Sequence, residues 1–180
     1  GVKSLKAIYP CFGPRFRNSC KNLKTLSGDD IMWATSCRYL GVYFISARYC
    51  KCEFGQAKKS FYRAVNAVFG KVLRLASQET ILHLIASKCM RVLLYGLDAC
   101  PITVSDIRSF DFVQTRLLMK IFNTGSITIV NKCHEMFGLK HISEMISDRK
   151  NRFLEKYQLS DNYVCTVFAG IAEKERSKLK

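Results

Sequence analysis

The residues with the clearest chemical potential are the paired aspartates in Ser27-Gly28-Asp29-Asp30. Nucleotidyl transfer needs carboxylates that hold two Mg²⁺ ions close together, and such a site also needs a third carboxylate from an earlier strand. Residues 1–28 contain no Asp or Glu. Because Gly, Asp and Ser are typical turn residues, we interpret the segment as a turn and predict no catalytic residue in this chain.

Cysteine and histidine are the other candidate ligands and nucleophiles, with nine and three copies. A structural zinc site needs four convergent ligands, usually in two close pairs. No cysteines have C-x-x-C spacing, no His lies near Cys50 and Cys52, and nothing completes a triad with Cys133 and His134. We therefore predict no metal site, reduced and mostly buried thiols, and an intracellular protein.

The distribution of charge indicates a polyanionic partner. The chain has 29 Lys and Arg against 14 Asp and Glu, a net charge of +15. Residues 1–78 hold 14 of the basic residues and three of the acidic ones, a net +11, and residues 79–180 carry the remaining +4. A field of one sign costs self-repulsion unless a polyanion neutralises it, and nucleic acid is the commonest such partner.

The bulk composition is that of a folded protein, with 180 residues of which 48% are hydrophobic. The longest apolar runs, such as residues 164–172, are too short to span a bilayer, so we expect no membrane partner. Because the sequence starts at Gly1 without an initiator Met, we expect it to be a piece of a longer chain.

The elements that must position these residues follow an α+β order. Residues 1–52 favour a small antiparallel β region, with strand candidates at residues 5–12, 31–33 and 39–45 and turns at Gly13-Pro14 and Ser27–Asp30. From Glu53 onward, apolar residues recur at three- and four-residue steps. We predict helices over residues 53–75, 80–97 (capped by Ser77), 103–122 (opened by Thr103 or Ser105), 130–137, 143–157 and 163–179.

The first predicted helix combines an apolar stripe with a basic face. At about 100° per residue, Lys59, Arg63 and Arg74 fall on one side of the helix, with Lys71 a little apart. Such a face can contact phosphates, adding affinity that falls with salt and does not read sequence. A solvated face is the alternative interpretation.

Seven segments in register resemble segments of non-LTR (LINE-type) retrotransposon reverse transcriptases, and jockey-like elements are the subgroup that they resemble most. Tyr39-Leu40-Gly41-Val42 resembles the primer grip that follows the family's palm. The other resembling segments are Lys3-Ser4 and Phe12-Gly13-Pro14-Arg15 upstream, and Phe61-Tyr62-Arg63-Ala64, Leu94-Tyr95-Gly96-Leu97 and the helices at residues 117–122 and 149–154 downstream. The family's Ala-Asp-Asp signature would lie upstream of Lys3.

The resemblance implies three parts: a distal palm and primer-grip β region (1–52), a helical thumb (53–122) and a helical C-terminal extension (123–180). Tyr39, Leu40 and Gly41 would position the primer end, and Lys3 would lie near the incoming nucleotide. The residues expected to bind nucleic acid are Arg38, Lys58, Lys59, Arg63, Lys71 and Arg74.

The parent protein implied by the resemblance is an RNA-directed DNA polymerase of the nucleus and cytoplasm. It would use Mg²⁺ and dNTPs, and its partners would be the RNA template, the DNA primer and the upstream fingers and palm of the same polypeptide. This part alone should be inactive and hold no cofactor. A non-enzymatic module that binds RNA, DNA or protein, or an unrelated basic helical scaffold, remains an alternative.

Overall fold

The computed structural model describes residues 8–18, 21–72 and 75–179. It confirms the predicted α+β class, with β structure preceding helices. The chain divides into two compact units, residues 1–56 (the β unit) and residues 57–180 (the helical unit). Lys3, Ser4 and Arg74 lie outside the described residues.

The first sheet has the strand order β1-β3-β2, formed by β1 (Ile8–Pro10), β2 (Leu23–Lys24) and β3 (Asp30–Ala34). The strand β2 is antiparallel to β3, and the turn between them contains Ser27, Gly28 and Asp29. The strand β1 runs parallel to β3, which departs from the purely antiparallel region that we expected.

The second sheet is an antiparallel meander of β4 (Ser36–Tyr39), β5 (Val42–Ile45) and β6 (Lys51–Glu53). The expected single strand over residues 39–45 is wrong, because Leu40 and Gly41 form a two-residue turn between β4 and β5. The apolar character of the run continues through the turn, so composition alone did not show the break.

Helices occupy most of the rest of the chain. They are α1 (Gly55–Val72), α2 (Gln78–Leu84), a π-helical segment (Ile85–Cys89), α3 (Met90–Leu93), α4 (Val104–Ile121), α5 (Ile127–Met136), α6 (Ile142–Gln158), α7 (Tyr163–Val167) and α8 (Ala169–Ser177). No helix among the described residues is long and apolar enough to cross a membrane.

Local signals explain where the helices begin. Ser77 caps α2, its side chain accepting a hydrogen bond from the backbone N–H of Thr80. Thr103 and Asp106 form a reciprocal capping box at the start of α4. These caps satisfy backbone donors that have no partner within the helix, so the polar residues before the apolar stripes fix the start of each helix.

The core of the helical unit lies between the apolar stripes of its helices. Its fully buried side chains include Phe61 on α1, Leu93 on α3, Phe110 and Leu118 on α4 and Ile142 on α6. Burial of an aromatic or branched aliphatic side chain of this kind stabilises the fold by about 1.5–3 kcal/mol. The boundary expected near residue 122 lies inside this unit, where α4 packs against both α5 and α6.

A buried glutamine joins α4 to the start of α6. The Gln114 amide donates to the Lys140 carbonyl (2.8 Å) and accepts from the Ile142 backbone N–H (3.1 Å). One turn earlier, the Asp111 carboxylate accepts from the Ser143 backbone N–H at 3.1 Å. These bonds satisfy backbone N–H donors in the first turn of α6, which have no partner within the helix, and they fix the position of α6 against α4.

Candidate nucleic-acid interface

The expected primer-grip residues form the exposed tip of the β4–β5 hairpin. Tyr39 pairs with Val42, which leaves Leu40 and Gly41 as a two-residue loop. Both loop residues have positive φ, 47° and 84°, as a type I′ turn requires. The Tyr39 and Leu40 side chains are 64% and 72% exposed, so the tip presents apolar side chains to the surroundings.

Leu40 is an unusual residue for the first position of this turn. A type I′ turn favours Asn, Asp or Gly there, and a left-handed conformation costs an ordinary side chain roughly 1–2 kcal/mol. Because Leu40 is 72% exposed, it buries little apolar area to compensate for this cost. Backbone strain of this kind concentrates at binding sites, so the tip is a candidate contact. Behind it, the Arg38 guanidinium lies over the Tyr43 ring at 5.8 Å.

In the helical unit, the predicted cations of α1 divide into two groups. Lys59, Arg63 and Lys71 are exposed. Lys58 is half-buried, with its Nζ donating to the Ser109 hydroxyl at 2.6 Å and lying 5.0 Å from the centre of the Phe110 ring. The Lys58 ammonium therefore joins α1 to α4, whereas the exposed cations are available to a ligand.

The helix α4 contributes further basic residues beside those of α1. The Lys120 Nζ donates to the Asn66 side chain at 3.0 Å and lies 4.7 Å from the centre of the Phe69 ring. Together with the Lys58–Ser109 bond, this contact sets α1 and α4 side by side in the same chain direction. A groove of about 530 Å³ lies between them and is lined in part by Tyr62, Asn66 and Arg116.

The surroundings of Tyr62 show how close the two helices lie. Burial raises the pKa of the Tyr62 phenol, and the positive charge of Arg116 partly offsets this by lowering it. The charge of a cation on the neighbouring helix therefore acts on Tyr62. Its side chain is still more than a third exposed, so its hydroxyl can also meet a ligand in the groove.

An exposed aromatic side chain lies between two arginines on α4. Phe112 is 62% exposed, and Arg108 and Arg116 lie one turn before and after it on the same face. Sequence reasoning missed this trio, although the spacing of four residues and the position of Phe112 off the apolar stripe were readable. We call the combined surface the α1–α4 face. It comprises Lys59, Tyr62, Arg63, Asn66, Arg108, Phe112, Arg116 and Lys120.

No carboxylate of α1 or α4 balances this face. The helix α1 contains no Asp or Glu. The helix α4 has two, and both act in helix caps: Asp106 caps α4 itself and Asp111 caps α6. The positive charges of the α1–α4 face therefore have no acidic partner on their own helices.

Of the paired aspartates, Asp29 lies in the exposed turn that the sequence predicted, and Asp30 begins β3 opposite Lys24. The Asp29 carboxylate accepts from the Ser27 hydroxyl at 3.0 Å, and its backbone N–H donates to the Thr25 hydroxyl at 3.0 Å. Local hydrogen bonds thus account for Asp29 as a turn residue. Within residues 8–18, 21–72 and 75–179, no group of three or more His, Cys, Asp or Glu residues is placed to hold a metal ion.

Burial accounts for most of the described cysteines, and local contacts account for His134. The described cysteines are thiols, and all but Cys50 are buried or partly buried. His134 is buried, its Nδ1 lies 3.0 Å from the Leu139 carbonyl, and its ring stacks on that of His141 at 4.2 Å between centroids. These contacts fix the turn between α5 and α6 and account for His134 without a nucleophilic role for Cys133.

No family model, curated protein or solved structure matches the chain. The residues of the hairpin tip and of the α1–α4 face are therefore the basis for assigning a function.

Proposed function

We propose that the helical unit binds nucleic acid through the α1–α4 face, as the part of a non-LTR retrotransposon reverse transcriptase that grips the primer–template duplex. One observation carries the binding proposal: exposed cations and an exposed phenylalanine share a surface whose helices supply no free carboxylate. The residues assigned to phosphate contact are Lys59, Arg63, Arg108, Arg116 and Lys120.

The spacing of the cations argues against a face that is merely solvated. Lys59 and Arg63 are four residues apart on α1, and Arg116 and Lys120 are four apart on α4. Like charges at this spacing destabilise a helix by about 0.2–0.5 kcal/mol per pair. Two such pairs side by side cost stability in the free protein, and bound phosphates remove that cost because their negative charge neutralises the repelling cations.

The exposed aromatic ring supports nucleic acid over other polyanions. Proteins that hold strands without reading sequence combine a basic surface with aromatic rings on which bases or sugars stack. Phe112 between Arg108 and Arg116 has this arrangement. A contact of this kind depends on charge and shape rather than base identity, which suits a polymerase that must hold every sequence it copies.

The hairpin tip is assigned to the primer end by the family resemblance. Tyr39, Leu40 and Gly41 would contact the primer backbone, since Gly41 has no Cβ to obstruct a close approach. Mg²⁺ would be bound by carboxylates of the upstream palm, not by residues of this chain, and the dNTP phosphates would be held there through the metal ions. The chain alone should then bind hybrid but incorporate no nucleotide; metal-dependent incorporation by the purified chain would refute this division of roles.

Binding to an RNA–DNA hybrid at several salt concentrations tests the proposal. K59E together with R63E should lower the slope of log Kobs against log salt by about 1.8, because each phosphate that the protein neutralises adds about 0.9 to that slope. The control, K132E with K174E, makes the same charge change at two exposed lysines outside the face. Equally weakened binding by both double variants, or a flat salt response of the unaltered chain, would overturn the α1–α4 assignment.

The coding frame upstream of Gly1 separates the polymerase from its alternative. A continuous frame with a palm bearing Ala-Asp-Asp supports the reverse transcriptase. A frame without that palm favours a non-enzymatic nucleic-acid-binding module. In that case the proposal that the α1–α4 face binds hybrid would be kept, and the polymerase role would be dropped.

A further inference from the structure

A second basic groove lies on another side of the helical unit. It has a volume of about 610 Å³ and runs between the end of α3 and one face of α6. Its cationic lining residues are Lys140, Arg149, Arg152 and Lys156. We call it the α6 groove. None of its lining residues comes from α1 or α4.

The α6 groove and the α1–α4 face lie on different sides of α4. The helix α4 contacts α1 through Ser109 and Lys120. It contacts the start of α6 through Asp111 and Gln114, which lie on another part of its circumference. A ligand in the α6 groove would therefore be a separate segment from one that lies on the α1–α4 face.

The charges of the α6 groove do not cancel. Four cations face two lining carboxylates, Asp98 and Asp148. Asp148 is already engaged, since its Oδ2 accepts from the Lys140 Nζ at 2.6 Å and its carbonyl oxygen accepts from the Arg152 Nε at 3.2 Å. With Lys140 paired to Asp148, the groove's other cations (Arg149, Arg152 and Lys156) face Asp98 alone and leave an excess of positive charge along α6.

The cations of α6 are arranged in a row. Arg149, Arg152 and Lys156 follow one another at three- and four-residue steps, so they share one side of the helix. From the first to the last the helix rises about 10.5 Å, at 1.5 Å per residue. Because a strand carries a phosphate about every 3.4 Å of duplex axis, a row of this length matches several phosphates rather than one.

Apolar side chains complete the lining. Phe153 lies in the groove among the cations, and Leu94 and Met145 line it as well. The Phe153 ring is supported by Tyr157, 6.1 Å away between ring centroids. An aromatic ring within a basic row offers a surface to a base or sugar next to the phosphates, which a small inorganic polyphosphate would not use.

We propose that the α6 groove binds the phosphodiester backbone of a second nucleic-acid segment, distinct from the one on the α1–α4 face. This inference rests on the proposed function in taking nucleic acid as the ligand. Arg149, Arg152 and Lys156 contact successive phosphates, and Phe153 contacts a base or sugar. The chain then holds two segments at once, one on each side of α4.

The test uses variants that remove charge from the groove without changing its core. R152Q with K156Q neutralises two exposed groove residues, and K132Q with K174Q is the charge-matched control. The probe is an RNA–DNA hybrid with a single-stranded extension of about 20 nucleotides. The groove variant should bind roughly tenfold more weakly, and its salt slope should be lower by about 1.4, at about 0.7 per phosphate of a single strand. The control should have nearly the affinity and the salt slope of the unaltered chain.

Lysine protection provides a second readout that does not depend on affinity. With the extended hybrid bound, Lys156 should react more slowly with an acetylating reagent than in the free chain, and Lys132 should be unchanged. Protection of Lys156 by tripolyphosphate but not by the extended hybrid would overturn the strand assignment. Equal binding by the groove variant and its control would overturn the proposal that the α6 groove binds nucleic acid.

The two proposals fail in different ways. If R152Q with K156Q weakens binding and K59E with R63E does not, the α6 groove stands and the α1–α4 face falls. If only K59E with R63E weakens binding, the α1–α4 face stands and the α6 groove falls. Unchanged thermal unfolding of each variant shows that the defect is in binding.

Discussion

The β unit and the helical unit maintain their structures by different means. Among the described residues of the β unit, only Cys52 and Phe54 are buried. The helical unit has buried side chains along its whole length, from Phe61 on α1 to Ala172 on α8. Strand pairing and turn geometry therefore carry most of the order of the β unit, whereas a core of interdigitated side chains holds the helical unit.

Because of this difference, residues that stabilise the fold are distinct from candidate binding residues in the helical unit but not at the hairpin tip. On α4, Phe110 is buried and Phe112, two residues later, is exposed. One face of α4 therefore stabilises the fold, and the other face is available to bind a ligand. At the hairpin tip, Leu40 and Gly41 form the turn and are also the candidate contacts, so a change there alters both properties together.

The largest expected effect is on the core of the helical unit. F110A removes a side chain with 0% exposure and should lower the free energy of unfolding by about 3–5 kcal/mol. Urea unfolding followed by helical circular dichroism measures this.

F112A, on the same helix, is the matched control. It should change stability by less than about 0.5 kcal/mol while weakening hybrid binding by about 1–3 kcal/mol. Similar decreases in stability in the two variants would contradict the division of α4 into a core face and a binding face.

The next effect concerns the polar link between α4 and α6. Q114L keeps most of the side-chain volume but leaves the Lys140 carbonyl and the Ile142 N–H without their partner. A buried group left unsatisfied costs about 1–3 kcal/mol, so the helical unit should lose that much stability. Hydrogen exchange of the Ile142 amide should accelerate as well; unchanged exchange would show that Gln114 does not fix this junction.

A smaller effect of opposite sign is expected in the β unit. L40N places Asn before Gly41, the pair that a type I′ turn favours, and should stabilise the hairpin by about 1 kcal/mol through relief of the left-handed strain. The single tryptophan, Trp33 on β3, reports unfolding of this unit by fluorescence. A destabilised L40N would mean that the Leu40 side chain makes a stabilising contact.

The smallest effect is the pH response of an exposed ion pair. The hydrogen bond from Lys140 holds the pKa of the Asp148 carboxyl below its ordinary value, so the contribution of the pair is present above the unfolded-state pKa and is lost as pH falls through the folded one. Carboxyl NMR titration should show a low pKa for Asp148 that returns toward its ordinary value in K140Q. An identical titration in K140Q would exclude the pair.

The helices were readable from sequence because their determinants are local. Thr103 was one of the two residues predicted to open α4 and is its N-cap, and the repeat through Phe61 and Val65 marked the buried side of α1. The parallel pairing of β1 with β3 was not readable, because it joins segments far apart in sequence. The turn at Leu40 was missed because leucine is an uncommon residue for it.

The candidate site was readable only in part, for a related reason. The exposed cations of α1 lie on one helix, so their angular spacing placed Lys59 and Arg63 on one side. That Arg116 and Lys120 lie beside them depends on the contact between α1 and α4, which includes the Lys120–Asn66 bond. One sequence without tertiary contacts does not contain that information, and the half-buried position of Lys58 was hidden for the same reason.

Amide chemical-shift mapping during titration with an RNA–DNA hybrid tests most directly whether the α1–α4 face grips nucleic acid. We predict that the largest shifts fall on the exposed positions of α1 and α4, around Arg63, Phe112 and Arg116, and diminish as salt is raised. Shifts confined to other helices, or a spectrum at low salt that does not change when hybrid is added, would contradict this role of the α1–α4 face.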